Sequence, residues 1–155
     1  MRGIKLLLLL AVIALGMACS ESRIYDNLET FEEDIWNAND IIRFDVAVND
    51  TALAYDLLVH LRNTGDYQYS NLWLFVETKA PSGAVMRDTV EFILADNSGV
   101  WLGNGISSVK SMLVPYKLNI RFPYRGIYTF GFQQGMRDEE LSGIKNIGLR
   151  IQERE

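Results

Sequence analysis

The chain of 155 residues contains one cysteine, one histidine and three prolines. A single cysteine, Cys19, cannot form an intramolecular disulfide, and a single histidine, His60, cannot supply a histidine cluster for a metal ion. Basic residues are also in deficit, because 15 Lys and Arg stand against 20 Asp and Glu, for a formal net charge of −5. This balance argues against a nucleic-acid-binding protein and against broad electrostatic attraction to anionic membranes.

Recognisable catalytic motifs are equally scarce. The sequence has no G-x-S-x-G elbow, phosphate loop or dinucleotide fingerprint, and its glycine-rich stretch 99–105 lacks a following lysine and helix. Acids such as Asp88, Glu91 and Asp96 could in principle act as a glycosidase pair, but their spacing specifies no separation. We therefore predict that the protein is not an enzyme and that it binds no metal and no cofactor.

The one long apolar run lies near the N-terminus and leads to Cys19. Arg2 and Lys5 form a positive segment, and the ten residues Leu6–Leu15 that follow have no polar side chain. Such a run is typical of an export signal and is too short to cross a bilayer as a helix. A small residue before a lone cysteine predicts lipoprotein processing, with cleavage after Ala18, a diacylglyceryl group on the thiol, and acyl chains such as palmitate.

The predicted organisation is a lipoprotein signal peptide over residues 1–18, a lipidated tether over 19–23 and one domain over 24–155. Two or three acyl chains would hold a small domain on a membrane almost permanently, since each buried methylene contributes about 0.8 kcal/mol. The alternative is a secreted protein in which Cys19 is incidental, because Gly16 stands where lipoprotein signals prefer a branched residue.

Beyond residue 40 the apolar side chains recur with a period of two, which predicts half-buried strands. Seven to eight such strands, with turn residues between them and no long amphipathic helix, predict an antiparallel β-sandwich of jelly-roll type, with a barrel as the alternative. Pro115 within a strand predicts an edge or a bulge. The segment 24–40 is ambiguous, because Ile24–Thr30 could be an edge strand while Glu32–Asp34 could open a helical turn. Met136–Ser142 is predicted to be one short helical turn.

Aromatic residues in predicted turns and loops are the remaining candidate site. Tyr67 and Tyr69 lie close to Trp73, and Trp101 and Asn104 belong to a glycine-rich loop. Rings at the edge of a sandwich can stack on a sugar or anchor a protein partner, so these five residues are the candidate ligand or partner contacts. The alternative is that Trp73 and Trp101 close the open ends of the sandwich.

Residues in order along the whole mature chain also resemble a known family. They are Trp36, Asp40–Phe44, Arg62, Tyr67–Trp73, Leu94–Asp96, Gly99, Trp101–Gly105, Gly126–Tyr128, Gln134–Arg137, Leu141–Ile144 and Gly148–Leu149. The pattern resembles the gliding motility lipoprotein GldH family of Bacteroidota. The resemblance implies a lipoprotein of the outer membrane or periplasm, partnered by envelope proteins of the machinery that moves surface adhesins and is linked to type IX secretion. It carries over no catalytic residue, and only Cys19 maps onto a defined chemical role. A carbohydrate-binding module that stacks sugars on its aromatic residues is the alternative function.

Overall fold

The computed structural model describes residues 22–105 and 107–154, and the long elements within these ranges are all β-strands. The predicted signal peptide, Cys19 and the residues up to position 21 lie outside the described residues. The ten strands are β1 (Arg23–Thr30), β2 (Ile35–Asn37), β3 (Ile42–Val48), β4 (Tyr55–Asn63), β5 (Asn71–Lys79), β6 (Val85–Ile93), β7 (Lys110–Ile120), β8 (Gly126–Gln134), β9 (Glu140–Ser142) and β10 (Ile144–Glu153). No helix in the described part of the chain has the length and apolar character needed to cross a membrane.

Eight of the strands form two four-stranded antiparallel sheets that face each other. The first sheet has the order β1-β10-β4-β7 and the second sheet has the order β3-β8-β5-β6. The chain crosses from one sheet to the other at every connection between these eight strands except the β5–β6 hairpin, which is the jelly-roll arrangement. The predicted antiparallel sandwich of jelly-roll type is therefore confirmed.

Two further strands raise the count above the predicted seven or eight. β2 and β9 are three residues long and pair with each other at one end of the sandwich, with Trp36 opposite Leu141. Trp36 is fully buried, stacks on Phe31 at 4.8 Å and donates from Nε1 to the carbonyl of Asp40. The prediction of one helical turn over Met136–Ser142 is wrong, because the backbone there extends to place Leu141 in the core beside β2.

The apolar side chains that recur with a period of two in the sequence are the buried ones in the structure. On β3, Phe44, Val46 and Val48 point into the core between the sheets, while the residues between them are exposed. The segment 24–40 contains both of the elements that its sequence allowed, an edge strand and then a 3-10 turn over Glu32–Asp34. Pro115 lies on the edge strand β7 beside an irregularity in its register with β4, as its missing N–H predicts.

The sandwich has two distinct ends. The described chain begins at Ser22, whose carbonyl accepts a hydrogen bond from the Glu153 N–H at 2.8 Å. We call this the Ser22 end, and the loops 49–54, 80–84 and 121–125 also lie there. At the opposite end lie the segments 31–41, 64–70, 94–105 and 135–143, together with β2 and β9.

Candidate functional site

Tyr67, one of the candidate contacts, is part of the core. Its side chain is buried, and its hydroxyl donates to the carbonyl of Asn71 at 2.7 Å. Burial raises the pKa of the Tyr67 hydroxyl well above its usual range, and the nearby Tyr69 and Asp138 raise it further. The ring is therefore not available for stacking on a ligand, and its hydroxyl acts as a fixed donor.

Tyr69 lies beside Tyr67 but is more accessible. The two ring centroids are 5.7 Å apart in an edge-on arrangement, and the Tyr69 hydroxyl donates to Asp138 Oδ2 at 2.6 Å. This hydrogen bond is the main reason that the pKa of Tyr69 is raised. Tyr69 thus holds the segment 135–143 against the turn that precedes β5.

Trp101 and Asn104 hold their loop in place. Trp101 is half-buried against the core with its ring 6.3 Å from that of Tyr67, and its backbone pairs with Ala95. Asn104 is exposed, but its backbone exchanges two hydrogen bonds with Ser111 at the start of β7. For Trp101 the alternative interpretation, in which the indole closes one end of the sandwich, agrees with this packing.

Trp73 has a different position from the other candidates. It lies on the outer face of the second sheet and is 38% exposed, because its neighbours Leu72 and Leu74 occupy the inward positions of β5. The interpretation that Trp73 closes an end of the sandwich is therefore wrong. Phe75, two residues further along β5, shares this outer face and is 49% exposed. We call Trp73 and Phe75 the aromatic pair.

The prediction did not include Phe75, although the sequence held the signal for it. Leu72, Leu74 and Val76 form an apolar set with a period of two, and all three are buried. Once that set is assigned to the core, the alternation requires Trp73 and Phe75 to point outward. The aromatic character of the whole segment concealed this division.

A groove of about 860 Å³ lies beside Phe75 on the outer face of the second sheet. Thr129 and Gly131 of β8 form its floor, and longer side chains on β3 and β5 form its walls. A methyl group on Gly131 would lie 3.3 Å from Ile41 Cγ2, so a larger residue at this position would start to fill the groove. The groove exists because β8 carries small side chains here and lies between β3 and β5, which carry large ones.

Polar groups in the groove wall are engaged with one another. Arg87 Nε lies 2.8 Å from Glu77 Oε2, and the Thr129 hydroxyl donates to Asp45 Oδ1 at 2.6 Å. Gln133 Nε2 donates a hydrogen bond to the backbone carbonyl of Ala38, in the segment 31–41, at 2.6 Å. The groove is therefore lined by paired charged side chains, the amide of Gln133 and the ring of Phe75. Such a lining suits a ligand that makes both apolar contacts and hydrogen bonds.

His60, the one histidine of the chain, lies away from this groove. His60 is on the outer face of the first sheet, where its Nε2 is 2.8 Å from the Ser111 hydroxyl. Burial and the positive charge of Arg150 lower the pKa of His60, so the imidazole is neutral near pH 7 and forms a local hydrogen bond. Within the described ranges no group of His, Cys, Asp and Glu side chains has the arrangement of a metal site.

The outer face of the first sheet has a different character. Arg150 pairs with Asp26 at 2.8 Å, and the Leu28 side chain lies over Gly148. Large exposed apolar side chains are instead frequent on the second sheet and next to it: Ile41, Trp73, Phe75, Val85, Ile93 and Ile127. Exposed apolar surface concentrated on one face is typical of an interaction site.

These features define the class: a jelly-roll domain with an aromatic pair and a groove on one exposed sheet face. Comparison with known proteins then identifies the family. The model of the GldH lipoprotein family matches residues 23–151. The chain is 37% identical over 147 residues to the "Gliding motility lipoprotein GldH homolog" of Christiangramia forsetii, covering 90% of both chains. It is 32% identical over 156 aligned residues to the "Gliding motility lipoprotein GldH" of Flavobacterium johnsoniae, covering 96% of both. The chain belongs to the GldH lipoprotein family, which confirms the resemblance found in the sequence.

Proposed function

We propose that this protein is an outer-membrane lipoprotein that acts as a non-catalytic interaction module of the gliding motility machinery and its linked type IX secretion system. Membership of a lipoprotein family supports the anchor, and the names of both relatives support the motility role. Cys19 is the residue that would carry the lipid. The jelly-roll domain would then present its binding surface to envelope proteins from a fixed point on the membrane.

The observation that carries the binding role is the exposure of the aromatic pair beside the groove. Aromatic side chains at the centre of an interface commonly supply a large share of the binding energy. Burying a side chain such as Trp73 or Phe75 against a partner would contribute about 1.5–3 kcal/mol in transfer free energy. We assign the surface to a segment of an envelope protein, because apolar rings next to paired charges provide both an anchor and a means of fixing orientation.

The binding role is tested by mild crosslinking in cells followed by purification under native conditions. Trp73→Ala/Phe75→Ala should lose the envelope proteins that the unaltered chain recovers. Leu58→Ala, on the outer face of the first sheet, is the matched control and should retain them. Equal recovery by both variants would contradict the assignment, provided that thermal unfolding shows both to be folded.

The anchor is tested separately with Cys19→Ser. This variant should either fractionate away from membranes or accumulate with an uncleaved signal peptide, because the thiol that receives lipid is absent. The mass of the mature N-terminal peptide gives the direct measurement. A Cys19→Ser chain that is cleaved normally and still sediments with membranes would show that something other than the lipid holds the protein.

A carbohydrate ligand is the second candidate, and the composition of the groove favours it. Phe75 could stack on a sugar ring while Arg43, Asp45 and Gln133 hydrogen-bond to its hydroxyls. A glycan array separates this from the protein partner. Binding that is lost in Phe75→Ala and retained in Trp101→Ala, whose ring is packed in the loop, would establish the carbohydrate role.

A further inference from the structure

Charge is strongly separated between the two ends of the sandwich. The segments 31–41, 64–70, 94–105 and 135–143 at the opposite end contain nine acidic residues and one basic residue, Arg137. At the Ser22 end, the three loops between strands contain two arginines and one acid. The acidic net charge of the chain is therefore concentrated at one end, which the composition alone could not reveal.

Two neighbouring loops at the Ser22 end, 49–54 and 121–125, expose both basic and large apolar or aromatic side chains. Arg121 and Arg125 are exposed, and within the described part of the chain neither forms a salt bridge. Between them Tyr124 is 52% exposed, and Leu53 on the neighbouring loop is also exposed. Arginine, tyrosine and leucine on adjacent loops form the combination that favours the headgroup region of a membrane.

In the described chain, the acidic residues at or next to this end are Asp50, Asp56 and Glu153. Asp50 is half-buried, and its Oδ1 accepts the N–H of Ala52 at 2.8 Å. Asp56 is paired with Arg154 at 3.1 Å. Arg154 offsets the charge of Asp56, whereas Asp50 and Glu153 keep theirs. Arg121 and Arg125 form no salt bridge with any of these acids in the described chain, so both guanidinium groups remain open to an external anion.

The loop that carries these arginines is rigidly held. Phe122 is buried, with its ring 4.7 Å from Tyr128 and 5.4 Å from Tyr55. The Tyr128 hydroxyl accepts the N–H of Tyr124 and donates to its carbonyl, both at 3.1 Å. With the loop fixed in this way, Arg121, Tyr124 and Arg125 project outward without an entropic cost of ordering the backbone.

We propose that the Ser22 end docks on an anionic lipid surface, namely the headgroups of the leaflet that holds the acyl chains of Cys19. This inference depends on the anchor proposed above. Three residue steps separate Cys19 from Ser22, and an extended chain covers at most about 3.6 Å per residue, so the tether can hold the Ser22 end within about 11 Å of the lipid. Electrostatic attraction acts over a Debye length of about 8 Å at physiological ionic strength, which matches this reach. The acidic end then faces away from the membrane.

The test uses the lipidated protein, and an introduced cysteine can be labelled at one chosen position because the natural chain has only one cysteine. Cys19 is the single cysteine of the chain and would carry the lipid, so Ser82→Cys and Asp66→Cys each introduce one free thiol, at the Ser22 end and at the opposite end, and neither replaces a residue of the proposed docking surface. Each variant is labelled with a small fluorophore and reconstituted into vesicles of phosphatidylcholine and phosphatidylglycerol that contain a headgroup-attached spin-label quencher. Nine-residue strands such as β4 and β5 extend about 30 Å, so the two labels report on well-separated depths.

We expect strong quenching of the label at 82 and little quenching at 66. Adding R121E/R125E should lower the docked fraction relative to the undocked fraction by at least about an order of magnitude, since each arginine near an anionic surface is worth about fivefold. Vesicles of phosphatidylcholine alone should have a similar effect. Floating vesicles that carry protein with equal quenching at both positions, or with quenching that neither R121E/R125E nor neutral lipid reduces, would overturn docking while leaving the anchor intact. A protein that fails to float with vesicles lacks the anchor, and both proposals would then fall.

Discussion

The Tyr116 hydroxyl donates a 2.5 Å hydrogen bond to Asp88 Oδ2, which joins β7 at the edge of the first sheet to β6 at the edge of the second. Lys117 Nζ lies 2.6 Å from the same carboxylate oxygen. The Lys117 ammonium, and after it the Tyr116 hydroxyl, hold the pKa of Asp88 below its usual value. Burial, and then the hydrogen bond to Asp88, raise the pKa of Tyr116 far above neutrality, so its hydroxyl remains a donor.

The cluster predicts a pH-dependent contribution to stability. In Asp88→Asn the oxygen that accepts from Tyr116 can remain while the charge is lost, so we expect a decrease of about 0.5–1 kcal/mol in the free energy of unfolding at neutral pH. The folded-state pKa of Asp88 is lowered, so its contribution is present above the unfolded value of 3.8 and is lost as the pH falls through the lower folded value. Urea unfolding of both chains should therefore show a difference that shrinks as the pH is lowered below 3.8. A difference that stays constant over this range would contradict the assignment.

Tyr67 and Tyr69 should respond very differently to loss of the hydroxyl. Tyr67→Phe removes the hydroxyl with which a buried ring donates to the partly buried carbonyl of Asn71, which should lower the free energy of unfolding by about 1–2 kcal/mol. Tyr69→Phe removes an exposed hydrogen bond to Asp138 and should change stability much less than Tyr67→Phe does. Chemical denaturation of the two matched variants measures this contrast. Similar losses for both would show that Tyr67 is not the structural residue described above.

Gly143 is expected to tolerate no side chain. Its φ is +89°, and a methyl group there would lie 2.5 Å from the backbone N and Cα of Tyr67. Gly143→Ala should therefore lower the free energy of unfolding by more than about 2 kcal/mol, through both backbone strain and steric overlap. Gly65→Ala is the control, because nothing lies within 4 Å of its added methyl group. A Gly143→Ala chain as stable as Gly65→Ala would mean that β9 and β10 do not pass this close to Tyr67.

Much of the fold could be predicted from local pattern. The alternation that buries Phe44, Val46 and Val48 follows from the period of a strand, and Pro115 marks an edge because it lacks an N–H. The pairing of β2 with β9 could not be predicted, since three-residue strands carry too little periodicity. Their pairing depends on Trp36 and Leu141, which lie far apart along the chain and are both buried.

The candidate site was less accessible to sequence reasoning. Trp101 and Tyr67 lie in loop segments like those of many binding sites, yet both are packed against the core, because loop position does not determine burial. Trp73 was identified as a candidate, whereas its neighbour Phe75 required the inward set of β5 to be recognised first. The charge separation between the two ends depends on which loops the topology brings together. No local pattern contains that information.

The central claim, that the aromatic pair contacts an envelope protein, is tested most directly by site-specific photocrosslinking in living cells. A photoreactive phenylalanine analogue is placed at Phe75, and at Leu58 on the first sheet as the control. The account predicts a discrete adduct with an envelope protein from position 75, lost when Trp73→Ala is added, and no such adduct from position 58. The same adducts from both positions, or none from position 75 in a chain that is folded and membrane-bound, would contradict it.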